Sequence, residues 1–213
     1  MSSDVLVTTP AQRQTEPHAE AVSRNRRQQA TFRKVLAAAM ATLREKSYAD
    51  LTVRLVAARA KVAPATAYTY FSSKNHLIAE VYLDLVRQVP CVTDVNVPMP
   101  IRVTSSLRHL ALVVADEPEI GAACTAALLD GGADSAVRAV RDRIGAEIHR
   151  RITSAIGPGA DPGTVFALEM AFFGALVQAG SGTFTYHEIA DRLGYVVGLI
   201  LAGANEPSTG GSE

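Results

Sequence analysis

Apolar residues recur at helical spacing along most of the chain, and no segment alternates with the period of two that marks a β-strand. A break at 46–50 ends the first amphipathic stripe, and Thr52 is a suitable N-cap for a second, shorter helix. Pro64 suits the first turn of a third helix that runs to about Tyr70, and Ser72 or Ser73 can cap a fourth over 74–87. The first stripe consists of Phe32, Val35, Leu36, Ala39, Met40 and Leu43.

Prolines at 90, 98 and 100 stand among β-branched residues and indicate an extended connector, after which helical patterns resume. Three stripes end near Pro118, at Gly131 and Gly132, and at 157–158, and two more span 163–179 and 186–204. The predicted fold class is therefore all-α. The predicted organisation is a mobile tail at 1–22, a front domain at 23–87, a linker at 88–100, a helical domain at 101–204 and a flexible tail at 205–213.

Composition is that of a globular protein, with 48% hydrophobic and 20% charged residues. The two cysteines, Cys91 and Cys124, have no metal-like spacing, which suits a reducing cytoplasm. We find no signal-peptide core in 1–20 and no run of about 18 apolar residues free of polar interruption, so we expect no membrane contact.

Charge is unevenly distributed, although the net charge is zero. Residues 1–90 hold 13 basic and 7 acidic side chains, whereas residues 91–213 hold 8 and 14. This asymmetry indicates that the front half faces a polyanion, unless the charges are solvated by chance.

The segment 51–71 predicts two short helices joined by a tight turn, which is typical of a helix-turn-helix. The second helix of such a motif enters the major groove of DNA, which has about the width of a helix. Its exposed face here offers short polar and aromatic side chains: Thr66, Tyr68, Thr69 and Tyr70.

A longer region that contains this segment, from about Gln28 to Leu85, resembles the TetR family of bacterial regulators. The matching positions are Thr52, Val56, Ala57, Val62, Thr66, Tyr68, Tyr70, Phe71, Ser73 and Lys74. The resemblance implies a three-helix DNA-binding head, followed by a helical domain for ligand binding and dimerisation. The rear half resembles the family only in length and helical pattern.

Three residues depart from the family pattern in or near the turn. Lys61 replaces the usual Gly, and a left-handed backbone there costs roughly 1 kcal/mol. Ala63 lacks the N-cap hydroxyl of the usual Ser, and Ala67 provides less core than a larger apolar residue. These departures put the rigidity of the head in question.

The candidate DNA contacts follow from chemistry and from the resemblance. Thr52 places a helix N-terminus near a phosphate, and Arg54 either pairs with guanine or is merely solvated. Tyr68 and Tyr70 resemble the family's phosphate-binding pair, although Tyr70 could pack instead. The further candidates are Pro64, Ala65, Thr66 and Thr69 at the groove, Lys74 at a phosphate, and Arg24, Arg26 and Arg27, which either follow the DNA or only solubilise the chain.

The helices at 163–179 and 186–204 are apolar on more than one face. We expect them to pair with their copies in a second chain and form a four-helix homodimer interface, unless they fill a large monomer core. Gly174, Gly194 and Gly198 would permit close approach of the backbones.

A hydrophobic or weakly polar effector is expected between the stripes of the rear domain, although each wall residue could equally be ordinary core. In the family, such a ligand moves the fourth helix and releases a near-palindromic operator. The candidate walls are Leu107, Leu110, Val114, Cys124, Leu128, Ile144, Phe172 and Phe173. We identify no cofactor, metal site or catalytic residue.

Three other functions compete with this interpretation. An enzyme finds no support, because the chain has no phosphate-binding glycine loop, zinc motif or nucleophile elbow. A helical sensor or adaptor with a degenerate head is conceivable because of the three departures. An activator would use the same head as a repressor, so the sequence does not separate the two.

Overall fold

The structure, a computed structural model, describes residues 16–130 and 134–204, with side chains from residue 25 onward. Over these residues it has nine α-helices and no strand, which confirms the predicted all-α class. The helices are α1 (Glu16–Leu43), α2 (Val53–Arg59), α3 (Pro64–Tyr70), α4 (Lys74–Gln88), α5 (Met99–Ala111), α6 (Pro118–Asp130), α7 (Ser135–Ile156), α8 (Pro162–Gly180) and α9 (Tyr186–Ala204), with a short 3₁₀ turn at Leu112–Val114. The predicted tails at 1–15 and 205–213 and the predicted helix end at Gly131 and Gly132 lie outside the described residues.

The first helix begins earlier than predicted. It starts at Glu16, so residues 16–22, which were predicted as part of the tail, are helical. This stretch lacks an apolar stripe, but its Ala and Glu residues have good helix propensity, which hydrophobic periodicity does not detect. The other predicted helices of the front domain, α2 to α4, match their observed positions to within a few residues.

The front domain is a small three-helix head built around the end of α1. Helix α1 packs against α2 and α4, and α2 packs against α3. Phe71, immediately after α3, is fully buried and stacks on Phe32 of α1 with ring centroids 5.1 Å apart. The rest of the head core includes Val35, Leu36, Ala39, Leu43, Val56, Ala57, Ala67 and Leu77.

Helix α4 connects the head to the rear domain, where it packs against α6 and α7. Its two ends are bonded to α7. At the N-terminal end the Ser73 hydroxyl donates to the Asp134 carboxylate at 2.8 Å. At the C-terminal end the buried guanidinium of Arg151 donates to the carbonyls of Val89 at 2.6 Å and Arg87 at 3.3 Å.

The rear domain stacks α5 against α7 and α9, and α8 against α9, α6 and α7. The connector between α4 and α5 spans residues 89–98, close to the predicted linker. Helix α8 is long and apolar enough to cross a membrane by length and composition alone, and 28% of that stretch is buried within the chain. It contains Glu169, whose carboxylate lies 2.8 Å from the His149 ring.

Candidate DNA-binding surface and ligand cavity

Helix α2 begins with the predicted cap. The Thr52 backbone is extended, and its hydroxyl accepts a hydrogen bond from the Leu55 amide at 3.1 Å. Such a cap satisfies one amide of the first turn and leaves the helix N-terminus facing solvent. Arg54, one position into the helix, is exposed.

The turn between α2 and α3 shows the strain predicted from its residues. Lys61 has φ of 52°, the left-handed conformation for which glycine is favoured. Ala63 is the N-cap of α3 and makes no side-chain cap bond, while Pro64 occupies the first turn. The chain therefore folds this turn without the two residues that would stabilise it best.

Helix α3 presents its front and outer face to solvent. Ala67 is fully buried beneath it, whereas Tyr68 is 46% exposed. The Thr69 hydroxyl donates to the Ala65 carbonyl at 3.1 Å, and its oxygen lone pairs can still accept hydrogen bonds. The predicted contacts Pro64, Ala65, Thr66, Tyr68 and Thr69 are all exposed on this one short helix.

Tyr70 and Lys74 are partly engaged inside the head. Tyr70 is half-buried, with ring centroids 6.1 Å from Phe32 and 6.2 Å from Phe71. The Lys74 ammonium donates to the Tyr48 carbonyl at 3.0 Å and lies 4.2 Å from the centroid of the Tyr48 ring. Because an ammonium carries three N–H donors, Lys74 retains donors for a phosphate.

The basic residues of the head differ in whether a carboxylate of the same chain pairs with them. Arg59 is held by a bidentate pair with Glu45 at 2.5 and 2.6 Å, while Arg54 on the same helix has no such partner among the described residues. Arg26 and Arg27 are exposed and lie within α1 rather than ahead of it. The Arg24 side chain lies outside the described residues.

The rear domain contains a cavity of about 270 Å³ between α4, α6, α7, α8 and the start of α9. Four of the eight predicted wall residues line it: Cys124, Leu128, Ile144 and Phe173. The other four, Leu107, Leu110, Val114 and Phe172, are buried but do not line this cavity. The first three lie away from it, because α5 and the turn that follows it pack toward α7 and α9.

Sequence reasoning missed the polar residues of the cavity, which are Tyr82, Thr125, Arg141 and Tyr186. The position of Arg141 in the sequence could have identified it, because it stands four residues after Val137 and three before Ile144, on the apolar face of α7. A charged residue in an apolar helical stripe points to a buried polar site. Tyr82 similarly lies between Ile78 and Val86 on the buried side of α4.

A second apolar surface lies on α8 and α9, facing away from the core. Its exposed members include Phe166 (63%), Met170 (56%), Tyr195 (73%) and Leu199 (55%). A Cβ atom added at Gly174 or Gly198 would meet nothing within 4 Å, whereas one at Gly194 would lie 3.3 Å from Thr104 of the same chain. Close approach at Gly194 thus serves packing within the chain.

Comparison with known proteins finds similarity to one family in the head. A sequence model of the tetR family of bacterial regulatory proteins matches residues 35–81, which span the end of α1, the helix-turn-helix and the first half of α4. The whole fold also has solved counterparts. A TetR transcriptional regulator from Rhodococcus sp. RHA1 superimposes with a TM-score of 0.69 at 21% identity, covering 84% of this chain and 98% of that one.

Two other similar structures are regulators named FadR. The one from Bacillus subtilis, solved in complex with stearoyl-CoA, has a TM-score of 0.54 and 14% identity over 81% of this chain and 98% of its own. The fatty acid degradation regulator from Bacillus halodurans has a TM-score of 0.57 and 10% identity over 78% of this chain and 97% of its own. At such identities the likeness shows a shared fold.

Proposed function

We propose that the chain is a transcriptional regulator of the TetR family, a cytoplasmic repressor that binds a near-palindromic operator as a homodimer. A small ligand in the rear domain releases it from DNA. The observation that carries the proposal is the exposed front of α3, where Pro64, Ala65 and Thr66 present a slim helix end above the buried Ala67. A slim, uncharged helix end permits close approach to base edges in the major groove.

The roles of the surrounding residues follow from their exposure. Arg54 pairs with a guanine from the start of α2, because its guanidinium is exposed and has no carboxylate partner among the described residues. Tyr68, Thr69, Lys74 and the N-terminus of α2 at Thr52 bind phosphates. Tyr70 supports this surface by packing and offers its hydroxyl to a phosphate. The basic run at Arg24, Arg26 and Arg27 contacts the DNA backbone beyond the groove.

The homodimer forms through the apolar surface of α8 and α9. A groove between these helices, bordered by Met170, Gly174 and Tyr195, is open on the outer side of the chain. Exposed apolar side chains on two adjacent helices favour a partner with the same surface, which a two-fold axis supplies. Two recognition helices related by that axis lie ~34 Å apart on the operator.

The position of α4 supports release from DNA by a ligand. Tyr82 of α4 lines the cavity, while Ser73 and Lys74 at the start of the same helix bond to α7 and to the head. A ligand that displaces α4 therefore moves the head. A protein of this fold, FadR of Bacillus subtilis, was solved with stearoyl-CoA bound, which supports a ligand-binding role for the fold.

The test of DNA binding is fluorescence anisotropy of the full-length protein on a random-sequence duplex, between roughly 50 and 200 mM salt. We expect affinity to fall steeply with salt and Lys74→Ala to reduce the slope by about one counterion. Arg150→Ala, in the rear domain, is the matched control and should leave the slope unchanged. Affinity independent of salt would favour the alternative of a helical sensor with a degenerate head.

The test of the dimer is sedimentation velocity on two matched variants. Met170→Glu places a charge on the α8–α9 surface, whereas Ile101→Glu places one on α5 at nearly equal exposure, 54% against 56%. We expect the first to yield monomers and the second to leave the dimer intact. Dimers of equal strength in both variants would place the interface elsewhere.

A further inference from the structure

The lining of the cavity includes buried polar atoms that have no hydrogen-bond partner among the described residues. Among the described residues, the buried side-chain nitrogen and oxygen atoms without a hydrogen-bond partner are Tyr82 Oη, Arg141 Nε, Arg141 Nη2 and Thr153 Oγ1. Three of these four atoms belong to Tyr82 and Arg141, and both residues line the cavity. Leaving such atoms buried and unpaired costs free energy, more for a charged group, so their convergence on one cavity points to a ligand.

The two Arg141 atoms form one edge of the guanidinium. Nε–H and Nη–H on that edge point the same way and match the two oxygens of a carboxylate. Arg44 shows the geometry within this protein, since its Nε and Nη2 donate to the two carboxylate oxygens of Glu117 at 2.5 and 2.6 Å. At Arg141 the same two atoms are buried and have no hydrogen-bond partner among the described residues.

The rest of the lining shows which charge the cavity accepts. Among the residues that the structure describes, no Asp or Glu lines it, and Arg141 is the single charged residue of the lining. Burial raises the pKa of the Tyr82 hydroxyl, with smaller contributions from Cys124 and Tyr186, so this group stays protonated and available as a donor. Burial likewise raises the pKa of Cys124 to about 12, which keeps its thiol neutral. The cavity therefore offers one cation and one free hydroxyl donor within apolar walls.

The volume limits the apolar body of the ligand. A cavity of about 150 Å³ is known to hold benzene, and this one measures about 270 Å³. Its other walls are largely apolar, with Leu128, Ile144 and Leu176 among them. One or two rings, or a short acyl chain, fill that space beside a small head group.

We propose that the effector is a compact carboxylate with an apolar body, whose carboxylate is bound by the Nε–Nη2 edge of Arg141 and by the Tyr82 hydroxyl. This inference rests on the proposed function, in which the cavity is the effector site. The same contacts explain how binding moves the head, because Arg141 belongs to α7 and Tyr82 to α4. A carboxylate bound by both residues pulls α4, which leads to the head, toward α7.

The test uses phenylacetate, 2-naphthoate and octanoate, each compared with its neutral primary amide. Dissociation constants come from ligand-observed NMR titrations on the full-length protein. We expect at least one acid to bind about tenfold or more tightly than its amide, since a hydrogen bond to a charged group is worth at least that factor. Arg141→Met should abolish this preference, Tyr82→Phe should reduce acid affinity several-fold, and Arg150→Met on the outer side of α7 should change neither.

Folding of the variants is checked by thermal unfolding without ligand. Because Tyr82 Oη and Arg141 Nε and Nη2 have no partner among the described residues, Arg141→Met and Tyr82→Phe should not lower the unfolding midpoint. Both variants should nevertheless lose the rise in midpoint that the acid gives the wild type. Amides that bind as tightly as acids, an acid preference that survives Arg141→Met, or no binding by any probe would overturn the proposal.

A second arm separates this proposal from the proposed function. The same protein is titrated onto duplex DNA with and without the tightest acid. DNA binding without any acid binding overturns the ligand class alone. Acid binding at Arg141 in a protein that binds no DNA supports the ligand class and contradicts the regulator.

Discussion

The Ser73 hydroxyl donates a hydrogen bond of 2.8 Å to the Asp134 carboxylate, and each of these two residues caps its own helix. Ser73 accepts from the His76 amide at the start of α4, and Asp134 accepts from the Ala136 amide at the start of α7. One contact thus joins the helix that leads to the head with a helix of the ligand cavity.

Removal of the Ser73 hydroxyl should destabilise the protein through both bonds. We expect Ser73→Ala to lower the free energy of unfolding by about 1–2 kcal/mol, because a cap alone contributes about 1 kcal/mol. In a double-mutant cycle with Asp134→Ala, the two losses should be non-additive by about 0.5 kcal/mol or more. Urea denaturation measures both, with Ser135→Ala as a neutral control; additive losses would mean that the Ser73–Asp134 bond contributes nothing.

The charge of Asp134 should make stability depend on pH. The Ser73 hydroxyl and the amides at the start of α7 lower the pKa of this carboxyl. A folded pKa below the unfolded value of about 3.9 means that the stabilisation is present above that pH and is lost as pH falls through the folded pKa. Asp134→Asn keeps a capping oxygen but no charge, so its deficit relative to wild type in urea denaturation should be larger at pH 6 than at pH 3. An equal deficit at both pH values would contradict a role for the charge.

Two substitutions in the turn before α3 should stabilise the folded protein. Lys61→Gly relieves the left-handed backbone at φ 52°, and Ala63→Ser supplies the missing N-cap of α3. We expect each to raise the free energy of unfolding by up to about 1 kcal/mol, with Lys46→Gly as a control that gains nothing. Thermal or urea unfolding measures the change, and a loss of stability in Lys61→Gly would show that the turn carries no strain.

Phe71 should be the most sensitive aromatic residue of the head. It is fully buried and stacks on Phe32, so Phe71→Ala should cost about 3–5 kcal/mol. Ile101→Ala, which truncates an exposed side chain, should stay within about 0.5 kcal/mol. Near-equal unfolding midpoints for the two variants would rule out the core position of Phe71.

The sequence was most informative where local chemistry decides the structure. Helical periodicity placed α8 and α9 to within a residue, Thr52 caps α2 as predicted, and Lys61 adopts the left-handed backbone that its place in the motif indicated. Each of these features depends on a few neighbouring residues.

Features that depend on distant parts of the chain were not predictable to the same degree. Periodicity showed that Leu107 and Leu110 are buried, but it carries no information on which helix covers them, and they pack away from the cavity. Arg141 was missed because an arginine beside an apolar stripe is ordinarily solvated. Only the packing of the neighbouring helices shows that its Nε and Nη2 atoms are buried. The early start of α1 was missed because that segment has no apolar stripe.

The central claim is that α3 and the start of α2 read a base sequence in duplex DNA. Its most direct test is selection of bound sites from a random duplex pool with wild-type protein and with Arg54→Ala. We expect the wild type to enrich a near-palindrome with half-sites about one helical turn apart, and Arg54→Ala to lose preference at one base pair in each half-site. No enriched sequence from the wild type, under conditions where the protein is folded and dimeric, would contradict the claim.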